Sequence, residues 1–320
     1  MKKILTFIRL SLDAVRDTKK IIKYFNLIKL NGYPVALKIF CIRFFFSFEN
    51  IRNLQKIKKV SKKHKSYFFN DSNNILDIDN ISKDMDQIGF SELFNLKKEF
   101  TEKIKEYVFS SKNITVKNQI INKDILLKKN NENLDDYFLR LKKLNISRFT
   151  GTIDIRKNSD LKDLLLSEPI LDLARSYLNC KTLSLNVSFF VSNPINISEK
   201  EKYQNAQYFH WDNDFTKFFK LYIYLTDVDF ASGPHVYVPG THKAKLPQHK
   251  LCRLYSDDKI NKSYNNIKIF TGKAGSLFFV DSYGIHKGET PIDKSRLMLN
   301  VHYGKGKILY SSDDLSLKIN

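Results

Sequence analysis

The sequence predicts a mainly β domain with flanking helices, an α+β arrangement, and three observations predict it. Runs of β-branched and aromatic residues bounded by turn formers recur in the C-terminal half, as in Leu221-Tyr222-Ile223-Tyr224-Leu225 and Gly275-Ser276-Leu277-Phe278-Phe279-Val280. Apolar residues at helical spacing occur instead in the N-terminal half. A chain of 320 residues with 42% hydrophobic content can also bury a full core, and one domain plus an extension accounts for that length.

Residues 1–70 form the expected extension, basic, amphipathic and helical. Ile4, Phe7, Ile8, Leu12, Val15, Ile22 and Phe25 recur at helical spacing among Lys19, Lys20 and Lys23, and the pattern stops at Asn31-Gly32-Tyr33-Pro34. The segment from Val35 to Phe48 is intensely apolar yet broken by Lys38 and Arg43. No run reaches the roughly 20 apolar residues that span a bilayer. Arg9 and Asp13 likewise interrupt a signal-peptide core. Asn70-Asp71-Ser72-Asn73-Asn74 reads as a loop, and residues 80–310 are the expected main domain.

Within that domain, Lys97 to Phe109 reads as an amphipathic helix with Phe100, Ile104 and Val108 on one side. Lys112 to Asn133, rich in Asn and Lys, reads as a surface excursion, with a mobile active-site cover as the competing reading. Ser159 to Asn179 carries two short helices, the second with Pro169 in its first turn. Thr182 to Ser192 alternates as a strand, and one parity places Ser184, Asn186, Ser188, Phe190 and Ser192 on a single face. Asp257 to Asn266 is a polar insertion.

The chemistry concentrates at His210-Trp211-Asp212, answered by His286 and then by Arg296. Two imidazoles and one carboxylate can occupy one face of an octahedral Fe(II) and leave three positions open. In a strand, positions i and i+2 share a face, so His210 and Asp212 reach one ion while Trp211 packs on the other side. The third ligand must come from a different strand. An H-x-D triplet alone is weak; its context adds specificity.

That context is Gly233-Pro234-His235-Val236-Tyr237-Val238-Pro239-Gly240-Thr241-His242-Lys243, then Gly275-Ser276-Leu277-Phe278-Phe279-Val280-Asp281, then His286-Lys287-Gly288, with Arg296 opening Leu297-Met298-Leu299-Asn300-Val301-His302-Tyr303. In this order the segments resemble the phytanoyl-CoA dioxygenase family of Fe(II)/2-oxoglutarate oxygenases, from about Gly89 to Gly304. The resemblance implies a double-stranded β-helix, the jelly-roll or cupin-like fold. It places His210, Asp212 and His286 on the iron ligands and Arg296 on the arginine that holds the distal carboxylate of 2-oxoglutarate. Arginine suits that task because its planar fork binds a carboxylate through two parallel hydrogen bonds and stays charged. The implied reaction is hydroxylation of a C–H bond of an organic substrate, with succinate and CO2 as co-products. Asp212 favours hydroxylation over halogenation, since a halide would need the carboxylate's position.

Ser188 and Asn186 are the expected helpers of Arg296, with an ordinary half-exposed strand as the competing reading. Tyr222 and Tyr224 share a face and either wall the pocket or belong to plain core. His235 stands where many family members carry an apolar residue; His235 and His242 are expected to be turn or strand-end histidines satisfied by backbone groups, with a substrate contact as the competing reading.

The formal charge of +20 comes from 54 basic and 34 acidic residues, of which 17 and 3 fall within residues 1–70. Most of the excess therefore lies in the extension. An apolar, aromatic and basic segment suits peripheral contact with an anionic membrane or docking to a partner; packing on the barrel fits equally, and nucleic acid is disfavoured. Cys41, Cys180 and Cys252 are scattered and odd in number, which argues against a disulfide framework and for a reducing cytoplasm that preserves Fe(II), with the inner membrane face as a peripheral location. The substrate is expected to be a small molecule, or one linked to a lipid or carbohydrate. The alternative is a non-catalytic metal- or ligand-binding jelly-roll scaffold whose basic N-terminus docks elsewhere.

Overall fold

The computed structural model describes residues 63–65, 68–69, 75–110, 114–115, 123–129, 131–157, 159–212, 217–246, 249, 254–305 and 315–319. Nearly all of the expected helical extension, the Asn70–Asn74 loop, Cys41 and Cys252 lie outside the described residues. Among those described, no helix is long and apolar enough to cross a membrane.

Fifteen strands are assigned within these residues: β1 Lys63–Lys65, β2 Ile75–Asp77, β3 Phe94–Asn95, β4 Ile114–Thr115, β5 Arg148–Ile153, β6 Thr182–Ser192, β7 Phe209–His210, β8 Phe218–Tyr224, β9 His235–Tyr237, β10 Leu254–Tyr255, β11 Lys268–Phe270, β12 Ser276–Val280, β13 His286–Gly288, β14 Arg296–Lys305 and β15 Leu315–Lys318. Two antiparallel sheets carry the domain. The larger runs β3-β12-β8-β14-β6-β5-β4 with β15 added against β6, and the smaller runs β10-β7-β13-β9-β11. This is the jelly-roll arrangement. The larger sheet extends past residue 310, because Leu315 to Lys318 pair with Leu185 to Thr182.

The alternation along the long strands explains which face meets what. Leu183, Leu185, Val187, Phe189 and Val191 of β6, Leu297, Leu299, Val301 and Tyr303 of β14, and Phe219, Leu221 and Ile223 of β8 are buried in one cluster. Helices Ile78–Gln87, Lys98–Ser110, Leu134–Lys143, Ser159–Leu165 and Glu168–Leu178 contribute Ile81, Met85, Ile104, Leu141, Leu161, Leu173 and Tyr177 to it. Helices thus cover the outer face of the larger sheet. Each aliphatic side chain buried there contributes about 1.5–3 kcal/mol.

The opposite parity is the inner face, and its composition differs. Pairing Met298 with Phe190 and Tyr224, Asn300 with Ser188 and Tyr222, and His302 with Asn186 and Lys220 puts these side chains on one surface, since directly opposed residues share a face. A second cluster, with Tyr222, Tyr224, Phe270, Phe278, Tyr237 and Met298, fills the space between the sheets beside them. Glu168–Leu178 carries Pro169 in its first turn and ends at Asn179, which takes the left-handed conformation with φ 46°. That stop delivers the chain into β6. Asp257 to Asn261 of the polar insertion form a short helix whose Ile260 is buried.

Candidate active site

His210 ends β7, and His286 begins β13 directly beside it in the ladder. Asp212 lies just past the end of β7, where its backbone N–H donates to the Ser282 carbonyl at 2.8 Å and extends the pairing by one step. The result brings the three expected ligands together. One ligand atom from each of His210, Asp212 and His286 lies within 4.8 Å of the others. His210 Nε2 is 3.8 Å from Asp212 Oδ1, and His286 Nε2 is 3.6 Å from Asp212 Oδ2. Trp211 turns the other way, into a cluster with Phe209, Tyr255 and Tyr283, as alternation requires.

Both imidazoles are oriented by their own backbone. His210 Nδ1 lies 2.9 Å from the Tyr208 carbonyl and His286 Nδ1 lies 2.9 Å from the Gly284 carbonyl. A carbonyl oxygen can only accept, so each Nδ1 carries the proton and each Nε2 presents its lone pair to the shared space. Burial alone would raise the Asp212 carboxyl, but Lys220, His286 and His210 beside it hold it well below the usual carboxylate range. Lys220 Nζ donates to Asp212 Oδ2 at 2.6 Å. Lys220 is a site residue that the motifs do not reveal; the signal is its parity, which it shares with Tyr222 and Tyr224 on β8.

Arg296 opens β14 on the inner face and is 3% exposed. Its Nε and Nη1 are buried without a hydrogen-bond partner, as are Ser192 Oγ, His235 Nε2 and Asn300 Oδ1. Burial pushes the guanidinium below its ordinary value while Tyr224, Tyr222 and Glu289 work against that. A buried cation with orphaned donors is costly unless an anion completes it. A carboxylate of a dicarboxylic co-substrate suits these donors in geometry and charge.

The remaining expected residues divide. Ser188 and Asn186 are on the inner face, but the ladder partner of Arg296 is Ser192, while Ser188 is opposite Asn300 and Asn186 opposite His302. Ser188 Oγ accepts from Asn300 Nδ2 at 2.9 Å. Tyr222 and Tyr224 wall the interior, and Tyr224 Oη donates to the Phe270 carbonyl at 2.8 Å. His242 matches the backbone-satisfied reading, with Nε2 donating to the Asp86 carbonyl at 3.0 Å. His235 departs from that reading. Its ring packs against Tyr222 at 4.7 Å and His286 at 5.4 Å, inside the barrel, because β9 places it beside Gly288 in the ladder. Burial first, then the cationic neighbours, keep it neutral. A cavity of about 730 Å³ is lined by residues that include Gln207, Tyr208, Lys287 and Glu289, close in sequence to the two ligating histidines.

The family model for phytanoyl-CoA dioxygenase (PhyH) matches residues 77–292. The chain belongs to that family. It is therefore an Fe(II)- and 2-oxoglutarate-dependent oxygenase, and the His210, Asp212 and His286 group is its candidate metal site. The match stops just short of Arg296, so the arginine's assignment rests on register and burial.

Among solved structures, the epimerase SnoN in complex with Fe3+, alpha-ketoglutarate and nogalamycin RO shares 14% identity over 71% of this chain and 83% of that chain, with a TM-score of 0.47. HygX from Streptomyces hygroscopicus with nickel and 2-oxoglutarate shares 11% over 71% and 86%, with a TM-score of 0.47. EctD from S. alaskensis with bound Fe shares 11% over 78% and 83%, with a TM-score of 0.45. No curated protein matches the sequence.

Proposed function

We propose that this family member hydroxylates a C–H bond of a small organic substrate, with succinate and CO2 as co-products. His210, Asp212 and His286 would hold iron through two Nε2 atoms and one carboxylate oxygen, a ligand set that suits Fe(II). Bound iron with 2-oxoglutarate and oxygen would supply the oxidation; the chain's own residues do the placing. Arg296 pairs with the distal carboxylate, so the co-substrate is fixed at its far end as well as at the metal. Tyr222, Tyr224, Phe270 and Phe278 exclude water from the pocket floor. His235, neutral and buried, adds a polar atom to an otherwise apolar wall.

The observation that carries this reading is the buried Arg296 guanidinium, left without a partner on the inner face of the larger sheet and close to Gly288 of β13, two residues from His286. Mixing the iron-loaded full chain with 2-oxoglutarate and pooled metabolites, and following substrate-stimulated succinate release with a mass gain of one oxygen in the product, tests it. Succinate release with no oxygen incorporated would replace hydroxylation by another oxidative outcome. Failure of the iron-loaded protein to bind 2-oxoglutarate by calorimetry would remove the reading.

Peripheral contact of residues 1–70 with an anionic membrane is part of the same proposal, supported by their charge and aromatic content. Flotation of the full chain with anionic and neutral liposomes is expected to show salt-sensitive binding to the anionic set alone. Equal recovery in both sets would rule it out.

A further inference from the structure

The arginine that completes the co-substrate pocket has a twin. Ser192 of β6 is opposed by Arg296 of β14 on one side and by Arg148 of β5 on the other, so the three side chains form one row across neighbouring strands on the inner face. Arg148 stacks on the inward ring of Phe190, with its guanidinium carbon 4.6 Å from the centroid. Between them Ser192 Oγ is buried with no partner. Among the described residues no carboxylate pairs with either guanidinium; Glu289, the acid nearest in effect to Arg296, is engaged by Lys287 at 2.7 Å.

The charges do not balance with one anion. Asp212 is answered by Lys220, and the distal carboxylate of 2-oxoglutarate answers Arg296. Arg148 remains over. Arg148 itself is half-buried; burial and then the charge of Arg296 push its guanidinium down to about 10. Tyr222 lies within electrostatic reach of Lys220 and Asp212 and of Arg148 and Arg296, and its ring packs 4.7 Å from His235, which stands 5.4 Å from His286, so the inner wall is continuous from Arg148 to the triad.

We propose that Arg148 and Ser192 form an oxyanion subsite beside the co-substrate pocket and that the substrate is an acid, anchored there by a carboxylate or phosphate group. The proposal rests on the 2-oxoglutarate reading. Carboxylate and phosphate offer the same acceptor chemistry to a guanidinium and a hydroxyl. The oxyanion has two sources, the substrate or the distal carboxylate of 2-oxoglutarate shared by both arginines, and binding measurements separate them.

The full chain is loaded with Mn(II) and titrated calorimetrically with 2-oxoglutarate, and the saturated complex is then titrated with inorganic phosphate. Phosphate is expected to bind the saturated wild type and to bind R148Q about tenfold or more weakly, the range for losing a hydrogen bond to a charged group. The 2-oxoglutarate affinity of R148Q should stay within about threefold, because Arg296 keeps its own partner. R148K should retain part of the phosphate binding, and it serves as the reference if R148Q does not fold by circular dichroism. Phosphate that fails to bind the saturated wild type, or binds R148Q and R148K as tightly as wild type, overturns the subsite. A tenfold loss of 2-oxoglutarate affinity in R148Q also overturns it and gives Arg148 to the co-substrate. A wild type that takes no 2-oxoglutarate in the first titration fails the functional reading instead, at a step before Arg148 is tested.

Discussion

Replacing Arg296 by methionine should stabilise the ligand-free protein and abolish co-substrate binding, two effects of opposite sign from one side chain. The guanidinium is 3% exposed, and its Nε and Nη1 meet no acceptor. Folding therefore removes a cation from water without a counter-charge, and Arg148 adds repulsion nearby. Methionine fills a similar volume without that penalty, and exchanges of uncompensated buried charge for apolar side chains have been worth about 1–4 kcal/mol. In the complex the same two donors would engage a carboxylate. Hydrogen bonds to charged groups contribute about 1.5–3 kcal/mol each, so losing both weakens 2-oxoglutarate by about 3 kcal/mol or more, roughly 150-fold. Thermal melts of the Mn(II)-loaded wild type and R296M with and without 2-oxoglutarate read both effects. The ligand-free R296M should melt higher than wild type, and its shift on adding 2-oxoglutarate should vanish. A lower melting point without ligand, together with an undiminished shift, would refute the claim that this guanidinium waits for an anion.

H286A should lose stoichiometric iron on dialysis, measured by elemental analysis, while its fold persists, because the imidazole meets the rings of His210 and His235 and belongs to none of the apolar core clusters. G284A should destabilise the protein by about 1–3 kcal/mol, since a Cβ there would collide with Tyr237 Oη, and denaturant melts read the loss. The same variant should bind metal more weakly, because Gly284 supplies the carbonyl that aims His286. Acid should destabilise the fold through His302, whose buried imidazole is pushed down to about 3, first by burial and then by Lys220. Its folded value lies below the unfolded one, so the penalty is absent above pH 6.5 and grows as pH falls toward 3. At pH 5 it amounts to roughly 2 kcal/mol, and H302Q should flatten the pH dependence of melting in that window.

The sequence carries the long strands well because their two faces differ. In Thr182–Ser192 the odd positions are Leu, Leu, Val, Phe and Val against a helical layer, while the even positions are mostly polar, so period and parity are both visible. The triad is legible for the same reason: H-x-D needs one strand end and His286, flanked by Gly284 and Gly288, needs a second. Short elements are less legible, since β7 is two residues long and Asp212 lies beyond it, held by its backbone bond to Ser282 and by Lys220. Lys220 is hidden because a lysine in a strand reads as solvent-facing, and only the approach of the smaller sheet supplies Asp212 as its partner. His235 is hidden by its setting after Gly-Pro, a turn by local rules that β9 and β13 convert into an inner wall. The row of Arg148, Ser192 and Arg296 joins residues far apart in the chain, and nothing local to any of them specifies strand order.

The two ligating imidazoles each lean on a peptide oxygen two residues earlier in their own chain. Aim is thereby written into a pair of tripeptides instead of being borrowed from distant acids. Substitutions elsewhere in the barrel can reshape the cavity for new molecules while the ion keeps its seat. A scaffold so built separates what it grips from what it transforms, and the second can drift over evolutionary time without endangering the first.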